Sequence, residues 1–208
     1  LERVSRRILF LGGSITLGWG VDEKETVTLM LQDMLTNNGE NVEVLNAGVG
    51  NYNTKRYINR FFRDLTDLKP SDIVVHYFLR DAENLKGEKE NYILRNSQLA
   101  LTLWIASNKV FNKSGKQTLE RHYRELYDPN TSGYQAMNKK LIQLSDYAKK
   151  NKIRLYLLMT PDIHDLDNYK FKYIHHIMEK IALENGYMYV DSLPKLLGKE
   201  ARKLFAMP

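Results

Sequence analysis

The stretch Ile8-Leu-Phe-Leu-Gly-Gly-Ser-Ile-Thr-Leu-Gly-Trp-Gly-Val21 decides how the rest of the chain is read. Its first four residues are apolar without alternation, which suits a strand buried on both faces. Gly12-Gly13 then lets the backbone turn sharply and sets Ser14 near the start of a helix. In an open α/β sheet, ligands gather at the carboxyl ends of the strands. A serine on such a turn can serve as a nucleophile, with its own N–H stabilising an oxyanion. It can also simply cap the helix, and spacing alone favours the cap. A phosphate-binding loop is disfavoured, because neither G-x-G-x-x-G nor a G-K-[ST] ending is present.

Outward from this block, short apolar runs alternate with amphipathic helices. Val27, Met30, Leu31, Met34 and Leu35 fall at helical spacing, and Asn37-Asn38-Gly39 ends that helix. Val42 to Leu45 reads as a second strand. Thr54 is expected to cap a helix whose apolar face is Tyr57, Ile58, Phe61, Phe62 and Leu65. Pro70-Ser71 breaks the chain before a third strand, Ile73 to Phe78. Asn91 to Val110 reads as helix and Asn112-Lys-Ser-Gly-Lys116 as a polar loop. Tyr134, Met137, Leu141, Leu144 and Ala148 mark a further amphipathic helix. Ile153 to Met159 is a fourth strand, closed by Pro161. Tyr173, Ile177 and Ile181 mark a helix stopped at Gly186, and Tyr187 to Val190 is a short fifth strand. The pattern predicts a single α/β domain over residues 1–208, with a mostly parallel sheet covered on both faces. The ending, Lys203-Leu-Phe-Ala-Met-Pro208, stops on an apolar segment with no helix after it. The expectation is that the chain continues beyond Pro208 or is disordered there.

Composition narrows the chemistry. The 208 residues are 43% hydrophobic and 27% charged, so the chain is neither disordered nor fibrous. Cysteine is absent, which excludes disulfides, thiolate metal sites and a cysteine nucleophile. The net charge of +6 is dispersed in pairs such as Arg6-Arg7, Lys139-Lys140 and Lys149-Lys150, so no nucleic-acid partner is expected. The longest near-apolar run, Leu99 to Ala106, is far short of the roughly 20 residues of a membrane span. A leader or anchor removed upstream of Leu1 is compatible with this opening and would place the protein outside the cytoplasm; otherwise it is cytoplasmic.

The other strand ends supply the remaining candidates. After strand two comes Asn46-Ala-Gly-Val-Gly-Asn-Tyr-Asn-Thr54, where Gly48 and Gly50 permit close approach of a neighbouring loop and expose backbone donors. An ordinary strand-to-helix turn reads the same way. After strand three, charge begins abruptly at Arg80, Asp81 and Glu83, as at a site edge or a solvated loop. After strand four, His164 sits between Asp162 and Asp165 and is a candidate base. The D-x-H spacing also suits a metal, but no other His/Asp cluster offers the remaining ligands, so no metal is expected. His76, His122, His175 and His176 read as structural.

Taken in order, these segments resemble the SGNH/GDSL hydrolase superfamily. Residues 8–21 look like the nucleophile block G-D-S-x-T-x-G-x-G, and residues 46–54 are similar to the second block. Asp72-Ile-Val-Val-His-Tyr-Phe-Leu-Arg-Asp-Ala-Glu83 is similar to the third, G-x-N-D. Thr160-Pro-Asp-Ile-His-Asp165 and Val190-Asp-Ser-Leu-Pro194 look like the stretch before the last block. The resemblance implies a flavodoxin-like three-layer α/β/α sandwich with a five-stranded sheet, and a serine esterase needing no cofactor. Ser14 would attack the ester carbonyl. The oxyanion would be held by the N–H of Ser14, a second-block N–H at Gly50 or Asn51, and the third-block side chain, which here is Arg80. Gly13 replaces the usual aspartate, and Asp81 would order its loop rather than react. The family base is a histidine of a C-terminal D-x-x-H, and none follows Leu204-Phe-Ala-Met-Pro208. These residues alone are therefore expected to turn over weakly or not at all. The implied substrate is a short acyl or acetyl ester, on a small molecule or a carbohydrate. Acyl transfer to a surface polysaccharide shares the covalent step. A catalytically silent module binding a glycan or an acidic ligand is the reading that Arg80 and the missing terminal histidine suggest.

Overall fold

Ile8, Leu9, Phe10 and Leu11 are all buried. They form the heart of β1 (Arg6–Gly12), which pairs in parallel with β2 (Val42–Asn46) on one side and β3 (Asp72–Phe78) on the other. Helices pack on both faces of the sheet at β1, which is why its sequence lacks alternation. The computed structural model describes residues 4–84 and 115–204. Beyond β3 lie β4 (Arg154–Thr160) and β5 (Met188–Asp191), giving the all-parallel order β2-β1-β3-β4-β5. The expected strands are all present, each displaced by a residue or two at its ends.

The helices are α1 (Ser14–Leu17), α2 (Val27–Asn37), α3 (Thr54–Arg60), α4 (Gly115–Leu126), α5 (Ser132–Asn151), α6 (Lys172–Glu184) and α7 (Leu193–Leu196). The cap of α3 is Asn53, whose Oδ1 accepts from Arg56 N at 3.0 Å, and not Thr54. Thr54 is the first helical residue, and its hydroxyl pairs with the Tyr57 hydroxyl instead. The predicted polar loop is also corrected, since Gly115 and Lys116 already belong to α4. The helix expected over Asn91–Val110 lies outside the described residues.

One face of the sheet carries the larger core. Leu9, Leu11, Ile73, Val75, Tyr77, Leu155, Leu157 and Met159 pack there against Tyr57 and Ile58 of α3, Met137, Leu141 and Leu144 of α5, and Ile174 and Met178 of α6. The other face holds Ile8, Phe10, Val42, Val44 and Val74 under Leu31 and Leu35 of α2. Cover on this second face is uneven. Met188 and Val190, which flank Tyr156 and Leu158 in register, are 45% and 46% exposed. The expected cover on both faces is thus present at the β2–β1 end and not at the β4–β5 end among the described residues. None of the described helices is long and apolar enough to cross a membrane.

At the amino ends of the strands, Asp72 is fully buried between Arg6, Arg154 and Ser71. Burial pushes its carboxyl up, but these donors prevail and hold it below the usual range. At the carboxyl ends, the chain leaves β1 in one direction to reach β2, then crosses to β3 on the other side of β1. The loops after β1 and β3 therefore diverge, opening a crevice between them.

Candidate active site

That crevice is lined by Gly13, Ser14 and Ile15 after β1, Asn51, Tyr52 and Asn53 after β2, and His76, Phe78, Arg80, Asp81 and Glu83 at the end of β3. Ser14 is exposed within it. The helix cap is Gly13, with no side-chain capping bond, so the hydroxyl at position 14 is not spent on the helix.

The turn that carries Ser14 is held by the second loop. Asn46 Nδ2 donates to Thr16 O at 2.8 Å, and its Oδ1 accepts from Gly48 N at 2.9 Å. Gly48 is pressed against α1, where a Cβ would lie 2.7 Å from Thr16 C and 2.8 Å from Leu17 Cα, with Leu17 N closer still. Only glycine permits that approach. Gly50 differs, because a Cβ there would meet nothing within 4 Å. Its neighbour Asn51 lies in the left-handed region at φ 61°, a conformation that asparagine tolerates better than most residues. Arg56 Nη1 donates to Asn51 O at 3.1 Å and fixes the orientation of this turn. Among the described residues, the N–H groups of Ser14, Gly50 and Asn51 have no acceptor, and of these three residues Ser14 and Asn51 line the crevice whereas Gly50 does not. Unpaired backbone donors beside an exposed hydroxyl are the elements of an anion-stabilising pocket.

The third loop contributes charge and structure. Arg80 is 64% exposed on its side chain and makes a bidentate pair with Glu83, at 2.9 and 3.1 Å. Burial pushes the Glu83 carboxyl up, but Arg80 and His122 outweigh it and hold it low. Asn53 Nδ2 donates to Glu83 O at 2.6 Å, tying the second loop to the third. Asp81 is buried, and its Oδ2 accepts from Phe78 N and from the Tyr57 hydroxyl, each at 3.3 Å. It ties the loop end to α3. Burial pushes its carboxyl up to about 8. An acid raised in the folded state contributes stability below its unfolded value near 3.8, and loses it as pH rises towards 8. Asp81→Asn keeps the accepting oxygen and removes the titration. Between pH 5 and 9, the melting temperature of the wild type should fall about 5 °C further than that of the variant. Parallel melting curves would show that Asp81 is already ionised at pH 5.

His164 hydrogen-bonds Asp162 at 2.5 Å and is 75% exposed, but it lines a neighbouring pocket and not the Ser14 crevice. The loop after β4 is separated from that after β1 by the β3 loop, so strand order keeps His164 away. His76, read from sequence as structural, does line the crevice. Its Nε2 pairs with Thr160 Oγ1 at 2.8 Å, its Nδ1 is buried without a partner, and burial lowers its pKa to about 4. His175 is buried with both nitrogens satisfied, by Tyr169 and Asp191. Among the described residues no group of three or more metal-ligating side chains converges.

Fold and crevice together define an α/β protein that presents an exposed serine beside unpaired amides at the carboxyl ends of its strands. No family model matches the sequence, and no curated protein does. Solved structures do match. AlinE4, an SGNH-hydrolase family esterase, aligns with a TM-score of 0.60 at 18% identity, over 100% of this chain and 86% of its own. TesA aligns at 0.58 and 16% identity, over 94% of this chain and 83% of its own. A variant of Axe2, an acetyl-xylooligosaccharide esterase from Geobacillus Stearmophilus, aligns at 0.58 and 14% identity, over 96% and 83%. The chain therefore has the SGNH-hydrolase fold.

Proposed function

We propose that this protein is a serine-dependent acyl-ester hydrolase of SGNH type, with Ser14 as nucleophile. The observation that carries the reading is the exposed Ser14 in a strand-end crevice whose adjacent N–H groups are unpaired. The hydroxyl attacks the ester carbonyl, the alcohol leaves, and water releases the acid from the acyl-enzyme. Negative charge on the carbonyl oxygen is met by the N–H of Ser14 and by that of Gly50 or Asn51. Arg80 occupies the third-block position, but its guanidinium is committed to Glu83. It contributes charge at the crevice wall and is a weaker donor to the oxyanion than a free asparagine amide would be. The resemblance assigns the base to a C-terminal D-x-x-H, which residues 1–208 do not contain. His76 buttresses the wall through Thr160.

The crevice volume of about 130 Å³ suits a short acyl group such as acetyl. An acetyl ester is also what the name of Axe2 indicates for that protein. Hydrolysis of a 4-nitrophenyl ester series, from acetate to decanoate, tests the reading in the full-length protein. Acetate and butyrate should be cut fastest. A preference that climbs steadily to decanoate would contradict a short-acyl crevice.

A further inference from the structure

Next to the Ser14 crevice, and sharing Phe78, Arg80 and Glu83 with it, lies a second and larger pocket of about 650 Å³. Among the described residues its apolar lining is Phe78, Leu119, Tyr123 and Phe171, and polar and charged side chains make up the rest. Tyr123 and Phe171 meet edge to face at 4.9 Å, and Tyr169 packs edge to face behind Phe171 at 5.7 Å. Tyr169 is itself anchored. Its hydroxyl donates to His175 Nε2 at 2.7 Å, and His175 Nδ1–H donates to Asp191 at 2.9 Å. The aromatic wall is thus set before any ligand arrives, which lowers the ordering cost of binding.

The rim carries charge, but that charge is internally paired. Glu83 takes both Arg80 and His122, Lys170 pairs with Glu120, and His164 pairs with Asp162. A charged ligand would have to displace these pairs, whereas a neutral apolar one would not. A sugar would need polar side chains free to hydrogen-bond its hydroxyls, and most of those described at this pocket are engaged with one another, Asn168 being the exception.

We infer that this pocket holds the alcohol part of the ester, and that this alcohol is neutral and apolar, an aryl or alkyl group and not a sugar. The inference rests on Ser14 being the reacting residue, because the short-acyl crevice then leaves the bulky side of the ester to the larger pocket. A pocket of this size with a few polar groups at its mouth is typical of small-molecule sites.

The test separates binding from chemistry. Ser14→Ala protein is titrated with the neutral fluorophore N-phenyl-1-naphthylamine, and 1-naphthol, 1-hexanol and methyl xyloside are added as competitors. The fluorophore should bind, with naphthol and hexanol displacing it and methyl xyloside having no effect. Leu119 is 40% exposed on the pocket wall, so Leu119→Gln should fold normally and weaken fluorophore binding about tenfold. Leu183→Gln, an exposed leucine on α6 away from the pocket, should change nothing. Absent fluorophore binding, displacement by methyl xyloside in place of naphthol, or equal affinity in Leu119→Gln would overturn the assignment. Because binding is read in a protein without the nucleophile, failure of the esterase reading shows separately, as hydrolysis that Ser14→Ala leaves intact.

Discussion

Ser14→Ala should lower hydrolysis of 4-nitrophenyl acetate by the full-length protein by about 10³-fold or more, with its melting temperature unchanged within a degree or two. The rate effect follows from chemistry. Without the hydroxyl there is no acyl-enzyme, and what remains is the electrostatic assistance of the surrounding N–H groups to direct attack by water. The absence of a stability effect follows from structure. Ser14 is exposed, and the cap of α1 is Gly13, so no side-chain bond of the fold is lost. A rate within threefold of wild type would remove Ser14 from the mechanism. A large drop in melting temperature would mean that the hydroxyl has a structural duty.

Gly48→Ala should be the most damaging single-methyl change near the site. The added carbon would enter the backbone of Thr16 and Leu17, and a backbone cannot rotate away as a side chain can. Overpacking of this kind costs about 3 kcal/mol, roughly 10 °C for a domain of this size. The shift would also move α1, and Ser14 with it, and could break the bond from Gly48 N to Asn46. Activity should therefore fall even in the fraction that remains folded. Gly50→Ala is the control, with open space at the new carbon and the amide proton retained. It should leave both stability and rate near wild type. Equal behaviour of the two variants in thermal melts and esterase assays would refute the close contact between the second loop and the turn that carries Ser14.

The strands were legible because parallel strands buried on both sides carry continuous apolar runs, as Ile8–Leu11 and Leu155–Met159 do. Helix α4 was not, because Gly115–Leu126 is mostly Lys, Arg, Gln, Glu and His, and it follows directly on a polar stretch that reads as loop. Thr54 and Asn53 are both good caps by type, and only the extended backbone at Asn53 chooses between them. Around the crevice, the rule of strand ends located Gly13, Ser14, Asn51, Arg80 and Asp81. It could not exclude His164, since the order of strands in space is not written in their order along the chain. His76 was passed over because a histidine in an apolar strand carries no mark of which loop its ring approaches. The link from Glu83 to His122 spans 39 residues and two elements, so no local pattern announces it.

Treating the full-length protein with a fluorophosphonate and mapping the adduct by peptide mass spectrometry shows whether the serine at position 14 is activated. One stoichiometric phosphonyl group is expected on the peptide containing Ser14, and none in Ser14→Ala. An unmodified Ser14 in folded protein, or an adduct that persists in the alanine variant, would contradict it.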